Sequence, residues 1–401
     1  VAGGLLLAAA VHARAATLVI DDADPAGQGL NDLTPVAPVG GNTATTLGGQ
    51  RLAVFNQAAA LWGAHLPGTV PIHVSAQMAP LPCTNTGSVL ASTGAGSVFR
   101  DFPSAPVPAT WYPKAMADAI AGTDLAPGTP DIETTFNSAQ GNPGCETGTT
   151  FYLGLDGHPG SKQIDMLTVL LHELAHGLGF QTFVDFSTGA KLNGLDDAYL
   201  LNIRQLGATP SALTAMTDQQ RVAAAISDPD LYWTSPTVDG ADSTFSDGLI
   251  SGHVRLYGPA TLSPGSSVSH YSNALTPNQL MEPFYTGPTR DLALTEDLLR
   301  DVGWSLAAPP PNVPALPPLG PALLALALGS LGLLRARRRA DSLSSLGSRR
   351  ASRPTVVPAG QPVGTHRSRE SFPASTAELA DRSCPETPML FQITPPPDDR
   401  S

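Results

Sequence analysis

The stretch that most constrains this chain is Ile164–Phe180, which contains Leu171-His172-Glu173-Leu174-Ala175-His176. From Ile164 to Leu178 there is no proline and one late glycine, Gly177, and the segment is rich in Leu, Met and Ala. That composition predicts a helix. Its apolar residues fall on nearly every side, so the helix is expected to be buried. On a helix, positions i and i+4 share a face. The imidazoles of His172 and His176 therefore stand together, with Glu173 beside the first. Polar groups without partners are costly in a buried helix, and a metal ion shared by the imidazoles removes that cost. The spacing points to one Zn²⁺ held by His172 and His176, with the Glu173 carboxylate addressing a water rather than the ion. Gly179 is the expected point for a left-handed helix end. A surface helix with incidental histidines would need polar flanks, which this segment lacks.

Charge narrows the function classes. The chain has 401 residues and a formal net charge of −12. Residues 335–401 carry 11 Arg against 7 acidic residues, which leaves 11 basic against 27 acidic residues before them. So acidic a body excludes nucleic acid as the expected partner. Charged residues make up only 14%, with 39 Gly and 39 Pro, so long loops are expected.

The two ends read as targeting segments. Residues 1–15 form an apolar run ending Ala13-Arg14-Ala15, the pattern expected of a partial signal peptide. Export agrees with the cysteines: Cys83 and Cys145 lie in the body and are expected to pair in an oxidising compartment, with Cys384 left over. The loop closed by that pair would contribute roughly 3–4 kcal/mol. Residues 307–318 form a proline-rich linker, 319–339 an apolar span closed by an arginine cluster, and 340–401 a Ser-, Pro- and Arg-rich tail expected to be disordered.

Between them, residues 16–306 form the expected working domain, divided into 16–180 and 181–306. A strand over Ala16–Asp22, a helix over Leu52–Leu66 and a strand over Val70–Val74 give a sheet packed on a helix. A short helix is expected near Lys114–Ile120, and further helices over Leu195–Leu206, Pro210–Ile226 and Leu292–Val302. Thr150–Gly154 is expected to be an edge strand beside the site, able to dock an extended peptide. Asp21, Asp22, Asp24 and Asp32 make Ca²⁺ conceivable, but their spacing matches no calcium loop. His65 and His73 read as structural. The third metal ligand is open on chemistry alone, with His270 ahead of His253 and His158, and with Asp196 or Asp197 as the carboxylate alternative.

The pattern His172-Glu173-x-x-His176-x-x-Gly179 resembles the metzincin zinc proteases, in which a third histidine follows at once and a methionine turn lies under the metal. Here that position is Thr182. The chain is similar to the leishmanolysin-like branch, of the secreted bacterial type, in which an insertion separates the glycine turn from the third histidine. Ser269-His270-Tyr271, Leu280-Met281-Glu282-Pro283 and Asp301-Val302-Gly303-Trp304 carry that likeness, with Asn31-Asp32 and Gly48-Gly49-Gln50-Arg51 upstream. The resemblance implies an α+β, zincin/metzincin-like fold with an N-terminal sheet-plus-helix part and an irregular, partly helical C-terminal part. It also implies Glu173 as catalytic base, His172, His176 and His270 as zinc ligands, and Met281 as the apolar floor. Some metzincins place a tyrosine two residues beyond that methionine. Pro283 stands there, which leaves Tyr271 and Tyr285 as weak substitutes.

At the C-terminus, Val313-Pro314-Ala315-Leu316-Pro317, the apolar span and Arg335–Arg339 resemble an exosortase-type sorting signal, although 62 residues follow Arg339. These features together lead us to expect a monomeric zinc metalloendopeptidase acting on protein or peptide substrates. It would be secreted or anchored at the bacterial cell envelope, with residues 313–339 engaging the membrane or the sorting machinery. The rival classes are a non-catalytic adhesion protein on the same fold and a zinc hydrolase of a non-peptide amide.

Overall fold

The computed structural model describes residues 15–241, 244–306 and 389–392. The expected signal peptide, except for Ala15, lies outside the described residues. So do the proline-rich linker, the apolar span and all of the tail but Met389–Gln392. Among the described residues no helix is long and apolar enough to cross a membrane.

The first half is built around one sheet. β1 (Leu18–Asp22) leads into α1 (Leu47–His65), followed by β2 (Ile72–Ala79), β3 (Val89–Ala95), β4 (Val98–Phe99) and β5 (Thr110–Pro113). Then come α2 (Lys114–Ala121), β6 (Ile132–Asn137), β7 (Thr150–Tyr152), β8 (Gln163–Asp165) and α3 (Met166–Leu178). In the second half the elements are shorter: β9 (Asp196–Asp197), β10 (Ile203–Gln205), α4 (Asp218–Ala224), β11 (Leu231–Trp233), α5 (Pro236–Ala241), β12 (Leu249–Ile250), β13 (His253–Val254) and α6 (Ala293–Val302). A last strand, β14 (Met389–Gln392), comes from the C-terminal segment. The architecture is α+β, and both portions, 16–180 and 181–306, belong to one compact unit.

The main sheet has the order β1-β2-β6-β3-β14. β1, β2 and β6 are parallel, β3 is antiparallel to β6, and β14 is antiparallel to β3. Period-2 burial sets which way β2 faces, with Ile72, Val74 and Ala76 inward. α1 starts at Thr46, whose side chain accepts from Gly49 N at 3.2 Å. It buries Val54, Phe55, Ala58 and Trp62. The Trp62 indole donates to the Leu171 carbonyl at 2.9 Å, tying α1 to α3.

α3 is buried along its whole length. Asp165 caps its start by accepting from Leu167 N at 3.0 Å, and also pairs with Arg290 at 2.7 Å. Gly177 faces β6 so closely that a Cβ there would lie 2.4 Å from Ile132. Position 177 therefore needs glycine for α3 to reach the sheet.

Four expectations are corrected in whole or in part. Leu195–Leu206 is not a helix: it forms β9, a 3₁₀ turn over Leu200–Asn202 and β10. Asp197 accepts from Leu200 N at 2.8 Å and β10 pairs with β11, so local capping and strand pairing override helix propensity. Within Pro210–Ile226 only α4 is α-helical, because the Thr217/Gln220 capping box starts the helix late. The strand that runs along α3 is β3, whereas β7 pairs only with β8 in a separate two-stranded sheet. Within the stretch expected to be disordered, Met389–Gln392 is a strand. Cys83 and Cys145 form a disulfide.

A buried charge cluster holds α2 against the sheet. Lys114 donates to Asp118 at 2.8 Å and to Asp131 at 3.0 Å, with all three side chains almost fully buried. Burial alone would lower the lysine pKa, but the two carboxylates outweigh it and hold the pKa above its ordinary value. Lys114→Met should leave two buried carboxylates without their cation and cost about 3–5 kcal/mol, read as a lower urea midpoint at pH 7.

Candidate metal centre

His172 and His176 project from the middle of α3, and His270 comes from the loop after β13, 94 residues beyond His176. All three are fully buried. His172 Nε2 lies 3.2 Å from His270 Nε2 and 3.1 Å from His176 Nε2. Among the described residues these three form the one group of His, Cys, Asp or Glu placed to hold a metal ion.

The opposite face of each ring sets its tautomer. His172 Nδ1 lies 2.7 Å from the Leu280 carbonyl, His176 Nδ1 2.7 Å from the Phe180 carbonyl, and His270 Nδ1 2.8 Å from the Ser266 carbonyl. A carbonyl can only accept, so each Nδ1 carries the proton. Burial, together with the neighbouring rings, holds His172 and His176 well below the ordinary histidine pKa, and burial lowers His270 to about 4. The rings are therefore neutral at pH 7, and three Nε2 lone pairs face one another. Lone pairs about 3 Å apart repel unless a cation lies among them. Two nitrogens each about 2.0–2.1 Å from one ion, at a near-tetrahedral angle, stand about 3.3 Å apart, close to the observed separations. The donor set fits a divalent metal ion.

The local chain course explains this convergence. Gly179 ends α3 with φ +129°, its N–H donating to the Ala175 and His176 carbonyls. A Cβ there would lie 2.6 Å from Met116, so only glycine allows the turn that brings the Phe180 carbonyl back onto His176. Met281 is fully buried, next to Leu280, whose carbonyl orients His172. Tyr271 N donates to the Met281 carbonyl at 2.8 Å, so the His270 segment and the methionine turn are stitched together.

Glu173 is fully buried beside this cluster. Neither of its oxygens has a hydrogen-bond partner of ordinary geometry among the described residues. Burial pushes its carboxyl up to about 8, against a smaller lowering by the Thr93 hydroxyl of β3. That hydroxyl is shared with Thr134 at 2.6 Å. A buried carboxyl group without a well-aligned donor is held ready for a guest water or substrate group.

The rival ligands are placed elsewhere. His253 pairs with Asp239 at 2.7 Å and stacks on Tyr232. His158 is exposed near Asp156. Asp196 is paired with Lys191 at 2.6 Å. Asp197 accepts from Thr182 Oγ1 at 2.7 Å, Phe183 N at 2.9 Å and Leu200 N, and burial pushes it up to about 6. Thr182, at the position where the local pattern would continue, is thus spent on Asp197. His65 pairs with Glu296, and His73 with Asp21. Asp24 accepts from Leu30 N and, across to β2, from Met78 N, and Asp32 accepts from Thr34 N, so these acids are engaged by backbone donors. The Tyr271 hydroxyl donates to the Leu294 carbonyl, and the Tyr285 hydroxyl accepts from Asp165 N.

Sequence reasoning missed Thr93 and the three orienting carbonyls. The offsets His176–Phe180 and Ser266–His270, each of four residues, are the only sequence signal for the carbonyls, and none exists for Thr93. A cavity of about 120 Å³, lined by Ser269 next to His270 in sequence, opens between Thr182–Ser187 and Leu262–Ser269. Comparison with family models, with curated proteins and with solved structures finds no match for this chain.

Divalent metal at 100 times its Kd should stabilise the chelator-treated protein by about 2.7 kcal/mol, read as a rise in melting temperature. His270→Ala should abolish that rise, and His253→Ala should leave it intact.

Proposed function

We propose that this chain is a zinc-dependent endopeptidase with a zincin, metzincin-like fold. The observation that carries the reading is the pairing of three converging, neutral imidazole nitrogens with a buried carboxyl group, Glu173, whose oxygens have no hydrogen-bond partner of ordinary geometry among the described residues. Three imidazole donors with a fourth position left for water match the ligand set of catalytic zinc sites. Binding alone needs only the histidines, so a costly buried glutamate beside them argues for hydrolysis rather than adhesion.

Each residue then has a task. His172, His176 and His270 hold the ion, with Leu280, Phe180 and Ser266 keeping every ring in its ligating tautomer. Zn²⁺ bound there would supply Lewis acidity, polarising a scissile carbonyl and making water nucleophilic near neutral pH. Glu173 accepts the proton of the attacking water and returns it to the departing amine nitrogen. Its raised pKa suits both halves of that transfer, since a carboxyl titrating near the working pH can take up and release a proton. The cavity lined by Ser269 is bordered by Val184, Phe186, Leu262 and Pro264, which favours an apolar side chain near the cleaved bond. A disulfide in the body supports an oxidising compartment, and with it export to the cell envelope.

Glu173→Gln keeps the shape of the site and removes the base. The variant should retain one metal per chain while casein hydrolysis falls about 10²–10⁴-fold, measured by release of labelled peptides. Hydrolysis at the unsubstituted rate would remove Glu173 from the chemistry.

A further inference from the structure

β3 is the strand that lines α3, and its Thr93 is the residue of the sheet that acts on Glu173. One edge of β3 pairs with β6. The other edge would present unpaired N–H and C=O groups beside the candidate site. It is taken by a segment of the same chain. β14 pairs antiparallel with it, placing Met389 opposite Thr93, Leu390 opposite Ser92, Phe391 opposite Ala91 and Gln392 opposite Val89. β14 also comes within 8 Å of α3, Cα to Cα. An extended peptide that adds to a sheet edge binds in this way, through its backbone.

We propose that Met389–Gln392 is an intramolecular competitor for the docking edge of β3, so that the C-terminal segment and an extended polypeptide substrate exclude one another. The proposal rests on the endopeptidase reading for what the edge serves, and on the strand pairing for what occupies it. Three observations favour a displaceable occupant over a permanent fifth strand of the sheet. The strand is four residues long, and its register slips between Phe391 and Gln392. Its apolar run is set between Pro388 and Pro395, and prolines stop a ladder from extending. A longer substrate strand can therefore form more backbone bonds than the tail does. Tethering compensates for the short ladder, because a segment of the same chain acts at an effective concentration of about millimolar. Free peptide at micromolar concentration would lose that competition until the segment is displaced or cut away.

The test compares the full chain, a chain ending at Pro388, and the full-length L390P/F391P variant. Along a strand successive N–H groups point to opposite sides, so prolines at two consecutive positions remove a donor to β3 in either register. Hydrogen exchange of Val89–Ala95 amides should be at least ten-fold faster in the truncated and proline forms. A fluorescein-labelled peptide with the sequence of residues 386–396 should bind those two forms at least ten-fold more tightly than the full chain. Casein hydrolysis should rise about ten-fold, mainly through KM. Equal exchange protection of β3 with and without the segment would overturn the proposal, as would equal peptide affinity. If exchange and peptide binding change as expected while no form hydrolyses casein, the occupancy of the edge stands and the endopeptidase reading falls.

Discussion

Three hydrogen bonds to backbone carbonyls organise the centre of this protein. Each imidazole gives its Nδ1 proton to a carbonyl, from Leu280, Phe180 or Ser266, and is left with a lone pair on Nε2. Burial keeps all three rings neutral. Were the carbonyls displaced, the rings could flip or exchange tautomers, and the Nε2 atoms could share protons among themselves instead of a cation. The surrounding architecture can be read as a means of placing those carbonyls. Gly179 turns the chain so that Phe180 faces back to His176. The Tyr271–Met281 bond keeps Leu280 in register with the His270 segment. Ser266 and His270 lie one turn apart in the same loop.

The site is assembled from distant parts of the chain, and several contacts join them. α3 supplies two histidines and the glutamate, and the irregular second half supplies the third histidine. Arg290 reaches back to Asp165 and Thr168 at the start of α3, while the Trp304 indole donates to the Leu178 carbonyl at its end. Both ends of α3 are therefore fastened by the second half, so the three histidines are not the only link across the site. Such bracing lets a pocket with a buried carboxyl group and three facing lone pairs persist against electrostatic strain.

What was legible in the sequence followed from local periodicity. The Ile164–Leu178 pattern matches α3 within two residues, and α2 and α6 match as closely, whereas α1 begins five residues before the expected Leu52, at the Thr46 cap. Chemistry and resemblance both put His270 ahead of His253, and the geometry brings it onto His172, whereas His253 is engaged by Asp239. Leu195–Leu206 misled because its residues favour helix in isolation, while Asp197 and the β10–β11 pairing decide the outcome at a distance. The docking edge was assigned to Thr150–Gly154 because sequence alone cannot show which strand neighbours which. β3 lies next to α3 through sheet order, a non-local property. Thr93 and β14 were invisible for the same reason.

The central claim is that His172, His176 and His270 form one zinc site through their Nε2 atoms. X-ray absorption at the zinc edge of the purified protein measures this directly. The account predicts one zinc per chain with three imidazole nitrogens at about 2.0–2.1 Å and no sulfur ligand. A zinc held by sulfur or by oxygen alone, or a folded protein that takes up no zinc when it is supplied, would contradict it.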